Sequence, residues 1–181
     1  MTEHPLVEPA PVVEPAPVVE PAETPTPVVE PAETPATAPQ VFFEDVAVGT
    51  ELPPLTVVVD ETQMFFFSAA TYNGHRIHYD KEWARDKEGY DDVLVQGPLQ
   101  AALLARAVTD WVGADGRLVT FSVQNRATAL PGQELVFGGT VTAARVEDDR
   151  GMVELEIAGR RGETVLMPGT ATVSLPLRGA R

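Results

Sequence analysis

Apolar residues recur at helical spacing in two stretches of this chain. A short apolar run over residues 56–60 predicts a strand, and Asp60 at its end can cap a helix over residues 61–71. Gln63 completes a capping-box pattern that is typical of a helix start. This helix is apolar on nearly every side, so we expect it to be mostly buried. Three consecutive aromatic side chains are assigned to the core rather than to a ligand pocket, although one ring could line both: Phe65, Phe66 and Phe67.

The second helical stretch covers residues 98–112 and follows a short apolar run, residues 93–95, that predicts a strand. Pro98 suits the first turn of a helix, where its missing N–H breaks no helical hydrogen bond. Apolar side chains lie on several faces of this helix, and its charged residues are Arg106 and Asp110. We therefore expect the rest of the domain to wrap around it.

From Arg117 onward the apolar period changes to two, which is typical of half-buried antiparallel strands. Turn-forming residues separate four long strand candidates. These candidates cover residues 118–130, 134–148, 152–159 and 164–176. A buried helix followed by four antiparallel strands predicts an α+β fold in which the sheet curls around the helix.

Composition divides the chain near residue 40. Eleven of the 17 prolines and none of the 14 glycines lie in residues 1–39, where units such as VEPAPV repeat. This segment contains seven Glu and no Lys or Arg, so it carries seven of the 14 net negative charges. Regularly spaced proline prevents helix and sheet, and the apolar residues are too sparse to form a core. We predict a disordered, acidic, Pro-rich tail over residues 1–40 and a single domain over residues 41–181.

The overall composition excludes several classes of function. The acidic balance leaves no surface that could neutralise phosphates, which argues against nucleic-acid binding. Because cysteine is absent, the chain has no disulfide, no thiolate metal site and no cysteine nucleophile. No apolar run is long enough to cross a membrane, and the N-terminus lacks a signal-peptide pattern. We expect a cytoplasmic protein with no membrane association.

Candidate chemistry is concentrated in residues 71–80, TYNGHRIHYD, which contain two of the three histidines. Together with the helix that starts after Gly97, this loop resembles the MaoC-like hydratase/dehydratase family, whose signature runs G-D-x-N-P-[LIV]-H. Residues 72–78 occupy the same seven positions, with His78 at the family histidine. NGHRIHYD and the later EGY and GPLQA segments are more similar to one branch, which includes mesaconyl-CoA hydratases and mitochondrial-type 3-hydroxyacyl-thioester dehydratases. The resemblance covers about residues 42–176 and implies a hotdog fold, an antiparallel sheet wrapped around a long central helix.

The resemblance implies reversible addition of water to the double bond of a 2-enoyl thioester, or the reverse dehydration of a 3-hydroxyacyl thioester. This reaction needs a base for water, return of the proton to the α-carbon, and donors for the enolate oxygen. His78 is expected to move the proton, since histidine titrates near neutral pH. The backbone N–H of Gly97 is expected to donate to the thioester oxygen, supported by the helix dipole.

Asn73 departs from the family signature, which has aspartate at this position. An amide can orient water but cannot accept its proton as a carboxylate does. Two hypotheses follow: His78 does all the acid–base work while Asn73 positions water, or Asp80 supplies the carboxylate. The first is favoured because Asp80 also suits the N-cap of a short helix that runs to about Asp86. A third hypothesis is that the site has lost activity and only binds its ligand.

Three further residues are candidates for substrate binding: Arg76, Gln96 and Pro98. Arg76, like Arg126, could pair with a substrate carboxylate or with the phosphates of coenzyme A. A surface or interface charge is the commoner role for such an arginine.

His75 is assigned an ordinary hydrogen-bonding role in the loop. Together, His75, His78 and Asp80 formally match a metal site, but this spacing in a loop is common by chance, so we predict no metal. We also expect no cofactor, with coenzyme A present as part of the substrate.

Two other functions remain open. A hotdog thioesterase would carry an acidic residue early on the central helix, and residues 98–102 contain none. A non-catalytic subunit would bind the acyl thioester and shape the site of an active partner in a heteromeric hydratase. A single hotdog unit leaves a sheet edge to cover, so we expect a homodimer or a heteromer with another hotdog subunit. Coenzyme A and acyl carrier protein are both open as the carrier of the acyl group.

Overall fold

A long helix, α3 (Gly97–Val112), lies across one face of a five-stranded antiparallel sheet and contacts all five strands. The computed structural model describes residues 39–179, so the tail predicted over residues 1–40 lies outside the described residues except at Pro39 and Gln40. The other α-helices and strands are β1 Leu55–Val58, α1 Glu61–Ala70, α2 Lys81–Glu88, β2 Arg117–Val123, β3 Glu134–Glu147, β4 Arg150–Arg161 and β5 Thr164–Pro176. The strand order across the sheet is β1-β3-β4-β5-β2.

The buried face of α3 is apolar except for Gln100, and the two charged residues of the helix lie on its exposed face. Leu104 and Val108 are fully buried, one helical turn apart, as expected for a helix that meets a sheet along one face. Arg106 and Asp110 lie on the exposed side and pair with each other at 3.2 Å. Gly113 ends the helix with a φ of +74°, a conformation that glycine adopts without strain. The prediction that a curled sheet wraps this helix is confirmed.

Alternating side chains along the long strands divide the sheet into an inner and an outer face. In β4, Val153, Leu155 and Ile157 are buried, while the residues between them are at least partly exposed. Val153 lies opposite Val173 of β5 in the ladder. The β3–β4 register shifts after Val141, and such bulges bend and twist a strand. Bending lets the sheet curl around α3 rather than lie flat against it.

The apolar run at residues 93–95 does not form the strand predicted from its pattern. Leu94 N–H donates to Ile77 O at 2.9 Å, and Val95 N–H donates to Ala129 O at 2.8 Å. These are single bonds to two different segments and not a ladder with one partner strand. The run is apolar because it is buried in the core of the domain. A short apolar pattern alone cannot distinguish a buried loop from a paired strand.

Helix α1 is more exposed than its composition predicts. The predicted capping box at its start is present, but its buried residues are Met64 and Ser68, one turn apart. Phe65 is 58% exposed and Phe66 is 65% exposed. The prediction of a mostly buried helix is therefore wrong for this chain, and so is the core assignment of these two rings. Within residues 39–179, α1 buries one narrow edge, and the Phe65 and Phe66 rings pack edge to face on each other with their centroids 5.7 Å apart.

Shortening Leu104 should destabilise the protein strongly, because this side chain has no exposed surface at the contact between α3 and the sheet. We expect Leu104→Ala to lower the free energy of unfolding by about 2–5 kcal/mol through the cavity it leaves. Urea denaturation followed by circular dichroism measures the change. Thr109→Ala, at an exposed position of the same helix, should change it by less than about 0.5 kcal/mol. Similar losses in both variants would contradict this assignment of the core.

Candidate active site

The loop between α1 and α2 is held at both ends by hydrogen bonds. After α1, Asn73 N–H donates to Ser68 O at 2.9 Å. A 3-10 turn follows at Arg76–His78. The Asp80 carboxylate then accepts the Trp83 N–H at 2.9 Å and caps α2. The histidine loop is therefore a fixed connection between two helices.

One hydrogen bond sets the tautomer of His78, which is partly buried. Its Nδ1 lies 2.8 Å from Leu94 O. Because a carbonyl oxygen can only accept, Nδ1 carries the proton and Nε2 is the unprotonated acceptor of the neutral ring. Leu94 N–H in turn donates to Ile77 O, next to His78 in the chain. This pair of bonds ties the histidine turn to the segment that leads into α3.

The pKa of His78 lies below its ordinary value of 6.5. Burial is the largest cause, because it disfavours the charged imidazolium. The hydrogen bond to Leu94 opposes this effect, and the charge of His75, whose ring centroid is 5.8 Å away, adds to it. His78 is consequently neutral at pH 7, with Nε2 able to accept a proton.

Both carboxylate oxygens of Asp80 are engaged within the chain. Oδ1 accepts the Trp83 N–H, and Oδ2 accepts from Nε and Nη2 of Arg76 at 3.0 Å and 2.6 Å. The bond from Trp83 and then the bond from Arg76 hold the pKa of Asp80 below its ordinary value. The Arg76 guanidinium also lies over the Trp83 ring, 4.1 Å from its centroid. The structure thus gives Asp80 and Arg76 roles in fixing the start of α2.

Asn73 lies at an open cavity beside α1. Its Oδ1 accepts the backbone N–H of His75 at 3.2 Å, which fixes the amide. The cavity has a volume of about 450 Å³, and none of its lining residues is charged. It is lined by Phe65, Ser68, Ala69, Tyr72, Asn73, Gly74 and Tyr79.

Gln96 ties the start of α3 to α1. Its side chain is fully buried, and Nε2 donates to Met64 O at 2.7 Å and to Ser68 Oγ at 2.9 Å. Within residues 39–179, its Oε1 has no hydrogen-bond partner. A substrate contact by Gln96 stays a prediction, as does one by Pro98 in the first turn of α3.

The first turn of α3 begins at Gly97, and no side chain in the described part of the chain caps it. The first N–H groups of a helix have no intrahelical acceptor, so they can donate to a ligand. The amide of Asn125, in the segment after β2, lies against this glycine. A β-carbon built on Gly97 would be 2.5 Å from Asn125 Nδ2. Any larger residue at position 97 would therefore clash with the Asn125 amide unless that amide moved.

Sequence reasoning did not select Asn125. The neighbouring residues explain its position, since Gln124 N–H and Arg126 N–H donate to β5 carbonyls at Pro168 and Leu166. These bonds hold the segment beside β5, with Asn125 between them. Asn125 approaches α3 because the sheet curls, and no local sequence pattern predicts that curl.

Arg126, the other candidate cation, donates to Gln124 Oε1 and lines a different cavity with Ser122 and Thr170. Over residues 39–179, no group of three or more histidine or acidic side chains is placed to hold a metal ion. In the same part of the chain, no helix has the length and apolar character needed to cross a membrane.

Solved structures share this arrangement. The MaoC-like dehydratase from Rhodospirillum rubrum matches with a TM-score of 0.67 at 22% identity, over 77% of this chain and 99% of that chain. A chain of the ChsH1-ChsH2 complex from Mycobacterium tuberculosis matches with a TM-score of 0.63 at 26% identity, over 71% and 98% of the two chains. The chain thus has the hotdog fold that the resemblance implied.

Sequence comparison places the chain more narrowly, since residues 29–130 match the hydroxyacyl-thioester dehydratase type 2 family. The chain belongs to this family. It is 37% identical over 131 residues to the mesaconyl-C(4)-CoA hydratase of Chloroflexus aurantiacus, a match over 69% of this chain and 42% of that protein. It is 30% identical over 133 residues to the 3-oxo-4,17-pregnadiene-20-carboxyl-CoA hydratase beta subunit of Mycobacterium tuberculosis, over 72% and 96% of the two chains. The chain thus spans less than half the length of the Chloroflexus protein.

The titration of His78 should show the effect of its burial. We expect its pKa in the folded protein to lie below that in the unfolded protein, which NMR titration of the ring Hε1 signal measures directly. A depressed pKa means that His78 contributes stability above pH 6.5, which is lost as pH falls through the folded-state pKa. His78→Gln should therefore reduce the loss of stability on acidification. A folded-state pKa at or above the unfolded value would contradict this environment.

Proposed function

We propose that the chain is a hydro-lyase that adds water reversibly to 2-enoyl thioesters, or removes it from 3-hydroxyacyl thioesters. The observation that carries this proposal is the state of His78. Leu94 O holds the Nδ1 proton, so Nε2 is a neutral-pH base on a fixed turn. Membership of the family supports the same type of reaction, and both relatives described above are named as hydratases of CoA thioesters or as a subunit of one.

In the proposed hydration, His78 Nε2 takes a proton from water while the water oxygen bonds to carbon 3 of the acyl group. The electron pair of the double bond moves toward the thioester, and its oxygen becomes an enolate. Gly97 N–H and the dipole of α3 stabilise that charge. The enolate then collapses, and carbon 2 takes the proton from Nε2. Protons balance over the cycle, and coenzyme A enters as part of the substrate.

Asn73 has the role of positioning water in this proposal. Its Oδ1 already accepts the His75 N–H, so the amide is oriented without a substrate. Asp80 is the weaker candidate for acid–base work, because its cap and its ion pair with Arg76 favour the ionised, fully occupied carboxylate. The Asn125 amide beside Gly97 is a candidate second donor for the thioester oxygen. We propose substrate contacts by Pro98 and Arg76 with less structural support, since Arg76 is engaged within the chain.

We further propose that the chain acts as a homodimer or together with another hotdog subunit. Among residues 39–179, β2 pairs with β5 alone and leaves its outer edge open. Phe66 is largely exposed near the loop. The name of one relative, a beta subunit, and the ChsH1-ChsH2 complex support a heteromer.

A non-catalytic acyl-thioester-binding subunit is the second candidate function. The observation in its favour is Asn73, which stands where the family signature has a proton-accepting carboxylate. A thioesterase has less support, because the acidic residue of α3, Asp110, is exposed and paired with Arg106 near the far end of the helix.

Hydration can be separated from both alternatives in one assay. The purified protein is mixed with a panel of 2-enoyl-CoAs, mesaconyl-CoA included, while enoyl-thioester absorbance and free thiol are followed together. We expect the enoyl band to decrease without thiol release. His78→Ala should lower the rate by roughly 10²–10⁴-fold, because general acid–base catalysis is lost.

The circular dichroism spectrum of His78→Ala should match that of the parent, since the ring is partly exposed and makes one hydrogen bond to the backbone. Turnover that survives this substitution would remove His78 as the base. Thiol release would indicate a thioesterase. Absence of any reaction, with retained binding of acyl-CoA, would favour the binding subunit.

Asn73→Asp tests whether position 73 is equivalent to the family aspartate. An aspartate can still accept the His75 N–H and adds an anion, so we expect the hydration rate to be retained or raised. The added charge should also raise the pKa of His78 toward its ordinary value. The pH–rate profile measures both effects. A collapse of the rate would show that the amide itself is required.

A further inference from the structure

Tyr72 has a backbone conformation that its side chain disfavours. It follows α1 with a φ of +56°, in the left-handed region, where helices commonly end with glycine. The family signature indeed has glycine at the position of Tyr72. A bulky residue with this φ is uncommon and marks a position that is strained or functional.

Packing among residues 39–179 does not explain this tyrosine. Its side chain is 98% exposed, so it buries almost no apolar surface against the domain. The hydrogen bonds that hold the turn, Tyr72 N–H to Ala69 O and Asn73 N–H to Ser68 O, come from the backbone. Glycine would make both bonds without strain. The ring is therefore free to contact a molecule that binds at this surface.

The Tyr72 ring lines the cavity beside α1, and none of the residues that line this cavity is charged. Three polar groups of that cavity are already satisfied within the chain. Ser68 Oγ accepts from Gln96, Tyr79 O–H donates to Gly74 O, and Asn73 Oδ1 accepts from His75 N–H. The surface that the cavity presents to a ligand is therefore mainly apolar, which favours the binding of an apolar group.

We propose that this cavity binds the acyl chain of the thioester and that Tyr72 is its specificity-determining residue. This inference rests on the proposed function for its orientation, because Asn73 lies at the same cavity. An acyl group with several methylenes gains from burial against Phe65, Ala69 and Tyr72. A second carboxylate on the acyl group would lose its hydration here without a cation in the lining. The chain therefore selects an uncharged acyl chain over a dicarboxylic one.

The experiment compares Tyr72→Gly and Tyr72→Asn, which accept the left-handed backbone and remove the ring, with Tyr72→Phe, which keeps the ring. Binding of octanoyl-CoA and butyryl-CoA is measured by calorimetry, without turnover. Hydration of the matching trans-2-enoyl-CoAs and of mesaconyl-CoA is measured in parallel. Thermal denaturation and size-exclusion chromatography are recorded for every variant.

We expect Tyr72→Gly to unfold at a temperature about 2–4 °C higher, since the strain is relieved. The same variant and Tyr72→Asn should lose about tenfold in preference for octanoyl-CoA over butyryl-CoA, whereas Tyr72→Phe keeps it. A loss of tenfold corresponds to about 1.4 kcal/mol, the burial of roughly two methylenes. Ala69→Phe, which fills the cavity, should exclude octanoyl-CoA and leave butyryl-CoA bound.

Several results would overturn the inference. An unchanged octanoyl preference in the ringless variants would remove Tyr72 from the subsite. Loss of oligomer with that preference unchanged would mean that a second copy covers the ring. A preference for mesaconyl-CoA would contradict the apolar substrate class while leaving the hydratase proposal intact. The expected binding pattern without any hydration would instead support the subsite and contradict the proposed reaction.

Discussion

The insertion of α3 into the curl of the sheet is the interaction on which the rest of the structure depends. All five strands contact this helix, so its position on the sheet is fixed. The segment before α3 is buried, and its backbone groups need partners. Ile77 O and Ala129 O accept from two of its N–H groups, and Leu94 O accepts from the His78 ring. Core packing thereby ties the histidine to the segment that leads into the helix.

The hydrogen bonds around the loop distinguish residues that stabilise the structure from a residue that keeps an acceptor atom for a ligand. Asp80 and Arg76 use their polar atoms on each other and on α2, and Gln96 uses its amide nitrogen on α1. His78 uses one ring nitrogen and leaves the other as an acceptor. Asp80 differs from His78 in its partners, since hydrogen bonds from Trp83 and Arg76 keep the carboxylate ionised, whereas burial keeps the imidazole neutral.

The sequence was informative where the pattern is local. The period of two predicted β3, β4 and β5 closely, the capping box predicted the start of α1, and Asp80 predicted the start of α2. It was misleading where tertiary contacts decide the outcome. Phe65 and Phe66 are exposed because α1 meets the domain along one edge, which composition cannot show. Asn125 reaches Gly97 across a long sequence separation, through sheet curvature that no short motif encodes.

Two of the departures from the family signature, at positions 72 and 73, lie side by side on the same cavity. In the proposed reaction they are connected by water. An acyl chain that fills the cavity displaces bulk solvent from Asn73, so the water held there is the one that the amide positions. Removing solvent also strengthens the electrostatic effect of the α3 N-terminus on the thioester oxygen and disfavours a charged His78. A ring at position 72 and a carboxylate at position 73 therefore have opposite effects on His78: exclusion of water favours its neutral, proton-accepting form, whereas a neighbouring anion would raise its pKa.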